Sequence, residues 1–179
     1  RQWILFGAPQ SGKVADTAVI SKYHDGVAID DSPAQHPLPT APGSFQVHAG
    51  KILLGPSSEI EYYLKQNLYL SDSVEVNRIE LFMGNKSHHF LIYKFMEDSA
   101  GAFPDGIRVL DPLTGAGASA FSATLVSAWQ FSADLELPPG TAYFWEKDAV
   151  LDLNHHLFNF NPDSVLGADI YFNVYTQPK

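Results

Sequence analysis

Two pairs of adjacent histidines are the residues best suited to chemistry. His88-His89 lies within Ser87-His88-His89-Phe90-Leu91-Ile92-Tyr93, and His155-His156 lies within Val150-Leu151-Asp152-Leu153-Asn154-His155-His156-Leu157-Phe158. Each pair interrupts an apolar run of strand character. Neutral imidazole is a good ligand for copper and for zinc, and a set of three leaves a coordination position open for a small exogenous ligand. The chain has no Cys, which excludes disulfides, zinc ribbons, thiolate copper sites and Cys nucleophiles together. Successive strand residues point to opposite faces, so neighbouring histidines can share one ion only at a strand end or an irregularity. Gly84-Asn85-Lys86-Ser87 provides such a lead-in to His88. On residue types alone four imidazoles are candidates, and both metals suit them.

Other chemistry is carried more weakly. Gly7-Ala8-Pro9-Gln10-Ser11-Gly12-Lys13-Val14 has the phosphate-loop spacing, but Val14 stands where a Ser or Thr hydroxyl must meet Mg²⁺, and no alternation of strands and helices follows. Asn85-Lys86-Ser87 is a glycosylation sequon of the kind that arises by chance. Glu59 with Glu61, and Asp134 with Glu136, have the i, i+2 spacing of solvent-facing strand stripes and not of a glycosidase pair. His24, His36 and His48 sit in an arm or at a strand edge, and Met83 and Met96 read as apolar filler, with Met83 the nearer in sequence to His88. No G-x-S-x-G nucleophile elbow occurs.

The elements that must position the histidines are strands. From Phe45 onward, short β-rich runs at 45–48, 50–54, 59–69, 74–83, 89–96, 107–110, 120–136, 149–160 and 168–176 are separated by turn residues, a spacing that predicts an antiparallel β-sandwich. Val74-Glu75-Val76-Asn77-Arg78-Ile79-Glu80-Leu81-Phe82 mostly alternates as a half-buried strand does. Residues 1–44 are different. Pro33, Pro37, Pro39 and Pro42 predict an extended, irregular arm, with Lys13 to Tyr23 as a helical candidate, and residues 57–66 are expected to open as a turn of helix. The 179 residues thus divide into an arm, 1–44, and one domain, 45–179. Apolar residues at 45% and charged residues at 17% describe a globular chain. A net charge of −9, with 11 scattered Lys and Arg, argues against nucleic acid, and no apolar run is long enough for a membrane span.

An ordered series of segments adds a likeness. Gly43-Ser44-Phe45-Gln46-Val47-His48, Glu59-Ile60-Glu61-Tyr62-Tyr63, Val76-Asn77-Arg78-Ile79-Glu80, the His88-His89 segment, Leu137-Pro138-Pro139-Gly140, Leu151-Asp152-Leu153-Asn154-His155-His156 and Ile170-Tyr171-Phe172-Asn173-Val174-Tyr175-Thr176 resemble the N-terminal domain of the copper type II, ascorbate-dependent monooxygenases, the peptidylglycine and dopamine hydroxylating enzymes and above all their bacterial relatives. The resemblance spans about residues 43 to 176. It implies a jelly-roll-like sandwich outside the cytoplasm, holding one copper between His88, His89 and a third ligand, His156, with His155 as the alternative, and relaying electrons.

The family's second domain, where oxygen is activated at a His-x-His and Met copper site, has no counterpart in this sequence. The resemblance therefore implies copper binding and one-electron transfer, and a complete monooxygenase only if a second copper domain or a neighbouring subunit supplies the other half. Trp3-Ile4-Leu5-Phe6-Gly7-Ala8-Pro9 resembles the exit of small c-type cytochrome domains, although no C-x-x-C-H occurs; this implies an electron-donor or cytochrome domain as partner. Zinc remains the alternative metal. A non-catalytic β-sandwich for assembly at a cell surface, with the arm added to a neighbour's sheet, is the alternative function.

Overall fold

A computed structural model describes residues 37–84, 87–110 and 122–178, and the backbone of 28–30. The phosphate-loop lookalike, the helical candidate Lys13 to Tyr23, His24, His36 and the sequon's Asn85 lie outside the described residues.

Among the described residues eleven strands follow in order: β1 Ala28–Asp30, β2 Phe45–Leu54, β3 Ser58–Asn67, β4 Val74–Met83, β5 Ser87–Phe95, β6 Gly106–Val109, β7 Ala123–Trp129, β8 Asp134–Glu136, β9 Tyr143–Trp145, β10 Val150–Asn159 and β11 Ser164–Gln177. A 3₁₀ turn, Ala100–Ala102, precedes β6. The predicted all-β sandwich is what forms. One sheet runs β6-β3-β10-β5-β7, antiparallel throughout; the other is built on β11 and β4, with β1 and β2 joined to β11 and with β8 and β9 joined to β4. The chain passes from sheet to sheet at β2–β3, β3–β4, β4–β5, β7–β8, β9–β10 and β10–β11, the repeated crossing of a jelly-roll-like winding.

Period-2 alternation decides which side chains face inward. In β10, Leu151, Leu153 and Leu157 are fully buried between the sheets, the first two packed with Ile79, Leu81 and Phe172 of the facing sheet and Leu157 with Ile52, Leu54 and Leu166. Burial of each such side chain contributes about 1.5–3 kcal/mol. The alternation breaks in β4 at a bulge: Tyr175 pairs with Arg78 and Thr176 with Val76, so Asn77 is the extra residue and the inward set resumes at Ile79. Gly50 does the same work in β2, where it sits at φ 87° between the pairs His48–Tyr171 and Lys51–Asp169. It thereby joins two expected runs into one ten-residue strand.

Three local expectations change. Residues 57–66 form no helical turn, because Ser58–Asn67 pairs with β10 along its whole length, and those ladder bonds outweigh local preference. The run 120–136 divides into β7 and β8 in different sheets. The segment of the arm at Ala28–Asp30 lies parallel to Ser164–Leu166 as a strand of this chain's own sheet.

Candidate metal centre

The histidines gather where β3, β10 and β5 lie side by side. His156 pairs with Glu61 of β3 and with His89 of β5, so the three side chains form a row on the outer face of the five-stranded sheet. The next pair is Leu157 with Ser87, which leaves His88 as an extra residue, the bulge of β5. This irregularity lets two adjacent imidazoles face the same side. Ser87 turns inward to bond His155, Phe90 is fully buried, and His88 and His89 both stay on the outside.

Three ring nitrogens converge. His88 Nδ1 lies 3.2 Å from His156 Nδ1 and 3.3 Å from His89 Nδ1, and one ligand atom from each of the three rings lies within 4.8 Å of the others. Two ligands bound at 2.0–2.1 Å in a tetrahedral arrangement are separated by about 3.3 Å. The spacing fits.

The tautomers fit as well. Both donors of the Asn154 amide are committed, to Glu61 Oε1 at 3.0 Å and to the Tyr62 carbonyl at 3.2 Å. Its Oδ1 therefore accepts from His89 Nε2–H at 3.1 Å, which leaves the lone pair of a neutral His89 on Nδ1. His156 Nε2–H donates to Glu59 Oε1 at 2.8 Å, with the same result. Two lone pairs aimed at a third ring nitrogen from 3.2–3.3 Å repel unless a proton or a cation lies between them. Carboxylate or amide partners on the outer nitrogen are how metal-binding imidazoles are oriented.

Burial holds the His89 imidazole below its usual range, with its Asn154 hydrogen bond and Glu61 opposing and the neighbouring His156 and His88 adding to the fall. A lower pKa keeps the ring neutral and available as a ligand. The side chains of His89 and His156 are 24% and 13% exposed, whereas His88 is open to solvent. The cluster is therefore reachable from one side. An open depression of about 310 Å³, lined by His89, Leu91, Ala128, Trp129 and Gln130, adjoins it.

His155 is not part of this group. It points into the core, 1% exposed, between Tyr62 Oη and Ser87 Oγ at 2.9 Å each and edge-on to Phe90. Burial pushes its pKa down to about 3, so it is a neutral core histidine. His48 faces outward from the other sheet, paired with Asp169 and stacked on Tyr171 with ring centroids 4.1 Å apart. Met83 is in the core, and Met96 is half exposed. Asp134 pairs with Arg78, and Glu136 is exposed. Glu59 and Glu61 do lie on an outward stripe, but that stripe borders the site.

Sequence reasoning passed over Glu59, Glu61 and Asn154 as supports and Phe158 as a wall; the Phe158 ring stands 4.4 Å from His156 and 5.1 Å from His88. The signal was present in β10, where Asp152, Asn154 and His156 put three polar residues on one face of an apolar strand. No model of a protein family matches the chain, and no curated protein matches it.

Proposed function

We propose that the chain is a copper-binding β-sandwich whose three-imidazole centre exchanges single electrons, a module of the type found in the N-terminal half of copper type II monooxygenases and working outside the cytoplasm. The observation that carries this reading is the convergence of Nδ1 of His88, His89 and His156, two of them with their outer nitrogens fixed by Asn154 and Glu59. Three neutral imidazoles without a carboxylate among them favour Cu²⁺ over the other divalent ions of the Irving–Williams order. Bound there, copper supplies one-electron exchange between Cu(I) and Cu(II).

The chain's own residues set the conditions for that exchange. Asn154 and Glu59 hold two rings in one tautomer and one orientation, so a change of oxidation state meets ligands that do not need to reorganise. Leu157 and Tyr62, buried directly behind His156, back the strand with packed side chains and exclude water from its inner face. His88, on the bulge, leaves the outer side of the trio accessible.

Substituting His88 and His156 by Ala tests the reading. Each variant is expected to lose stoichiometric copper uptake. Unchanged copper content in both would sink it. Metal analysis of protein purified without added metal separates copper from zinc, the nearest chemical rival.

A further inference from the structure

We infer that an aromatic ladder leading from the metal centre to the end of the sheet is a docking surface for a cationic one-electron carrier protein, with Phe160 at its centre. The inference rests on the copper reading above. Along β10 and just beyond it, His156, Phe158 and Phe160 occur at every second residue on the outer face. Their rings touch in sequence: His156 to Phe158 at 4.4 Å, then Phe158 to Phe160 at 5.3 Å with only 8° between the planes. Phe160 is 84% exposed. It fills no core, yet it extends a row of packed rings from a ligand to solvent, and an exposed aromatic anchor of this kind marks an interaction site.

The surroundings state the partner's charge. The turn carrying Phe160 is tied to the turn before β3 by the Ser57 N–H donating to the Asn161 carbonyl at 3.0 Å. Together residues 55–61 and 157–163 contribute Glu59, Glu61 and Asp163 and no Lys or Arg, in a chain of net charge −9. An apolar anchor with an acidic border suits a partner whose own exposed apolar patch is ringed by basic residues. Steering of that kind raises the encounter rate, and redox contacts are typically small and short-lived. In the exchange one electron leaves reduced copper as the carrier's oxidised centre gains it, or the reverse, and no bond forms or breaks.

Mitochondrial cytochrome c, a cationic one-electron protein, is the probe. Its titration into the metal-free full chain at low ionic strength, followed by amide chemical shifts, is expected to move residues 57–59 and 158–163. Phe160→Ala and Asp163→Lys should each weaken the complex about tenfold, and the shifts should fade as salt is added. Shifts centred elsewhere, or an affinity in both variants unchanged from that of the parent chain, would overturn the inference, as would concentration-dependent self-association through Phe160. With copper-loaded, reduced protein, stopped-flow oxidation by ferric cytochrome c should slow about tenfold in Phe160→Ala, while oxidation by ferricyanide stays unchanged. A copper-loaded chain inert to ferricyanide would refute the one-electron reading itself, and the shift titration would still judge the docking surface.

Discussion

Replacing Asn154 by Ala separates a site that is held in place from one that is merely present. Asn154 is 2% exposed and makes three hydrogen bonds, from His89 Nε2 at 3.1 Å, to Glu61 at 3.0 Å and to the Tyr62 carbonyl at 3.2 Å. Each is worth about 1 kcal/mol net, so the metal-free variant should lose about 2–4 kcal/mol of folding stability. The effect on the metal is separate. Without the amide oxygen, His89 is free to rotate and to shift its proton to Nδ1, and loss of such a support costs about 10–100-fold in metal affinity, or about 1.4–2.7 kcal/mol. Competition against a chromophoric copper chelator gives the affinity, urea unfolding gives the stability, and ¹⁵N shifts report the His89 tautomer. A variant that loses stability while keeping its copper affinity within about twofold would refute the positioning argument and leave Asn154 a purely structural residue.

Three further outcomes follow from the same geometry. His155→Leu should keep full copper stoichiometry while losing about 2–4 kcal/mol in urea unfolding, because the hydroxyls of Tyr62 and Ser87 lose their buried partner; loss of copper instead would put His155 among the ligands. In the metal-free protein, His155 has a pKa lowered from 6.5 to about 3, so the unfolded chain binds the extra proton. Its stabilising contribution is complete above pH 6.5 and is lost as pH falls towards 3, at up to about 1.4 kcal/mol per pH unit. Urea midpoints measured across that window should show the slope in the parent and lack this component in His155→Leu. Asp152→Asn should cost about 3–5 kcal/mol, since the carboxylate is fully buried against Arg108, whose side chain is itself 9% exposed and lies over the rings of Tyr63 and Phe103. Copper stoichiometry in that variant should be unaffected.

The sandwich was legible because one face of each long strand is apolar, and a period of two survives in the sequence on either side of bulges such as Asn77. Residue types alone made four imidazoles candidates, and the resemblance favoured His88, His89 and His156 over His155. Adjacent histidines in an apolar strand announce that an irregularity is required, but whether His155 or His156 faces outward depends on the register of β10 against β3 and β5, which is set by partners far away in the chain. Once Leu151, Leu153 and Leu157 are assigned to the core, alternation places His155 inward with them and His156 outward. The supports were hidden for the same reason. Glu59 and Glu61 read as a solvent stripe until β3 is laid beside β10, and only then do their carboxylates border His156 and His89. The expected helical opening at 57–66 failed because local propensity carries no knowledge of a ten-residue ladder.

The most direct test of the account is electron paramagnetic resonance of the copper-titrated full chain, combined with metal analysis. The account predicts one Cu²⁺ per chain, with nitrogen hyperfine structure from three imidazoles bound through Nδ1, and a spectrum that collapses to that of unbound copper in His88→Ala and His156→Ala. A signal from three nitrogens that persists in those variants, or a chain that binds no stoichiometric copper, would contradict it.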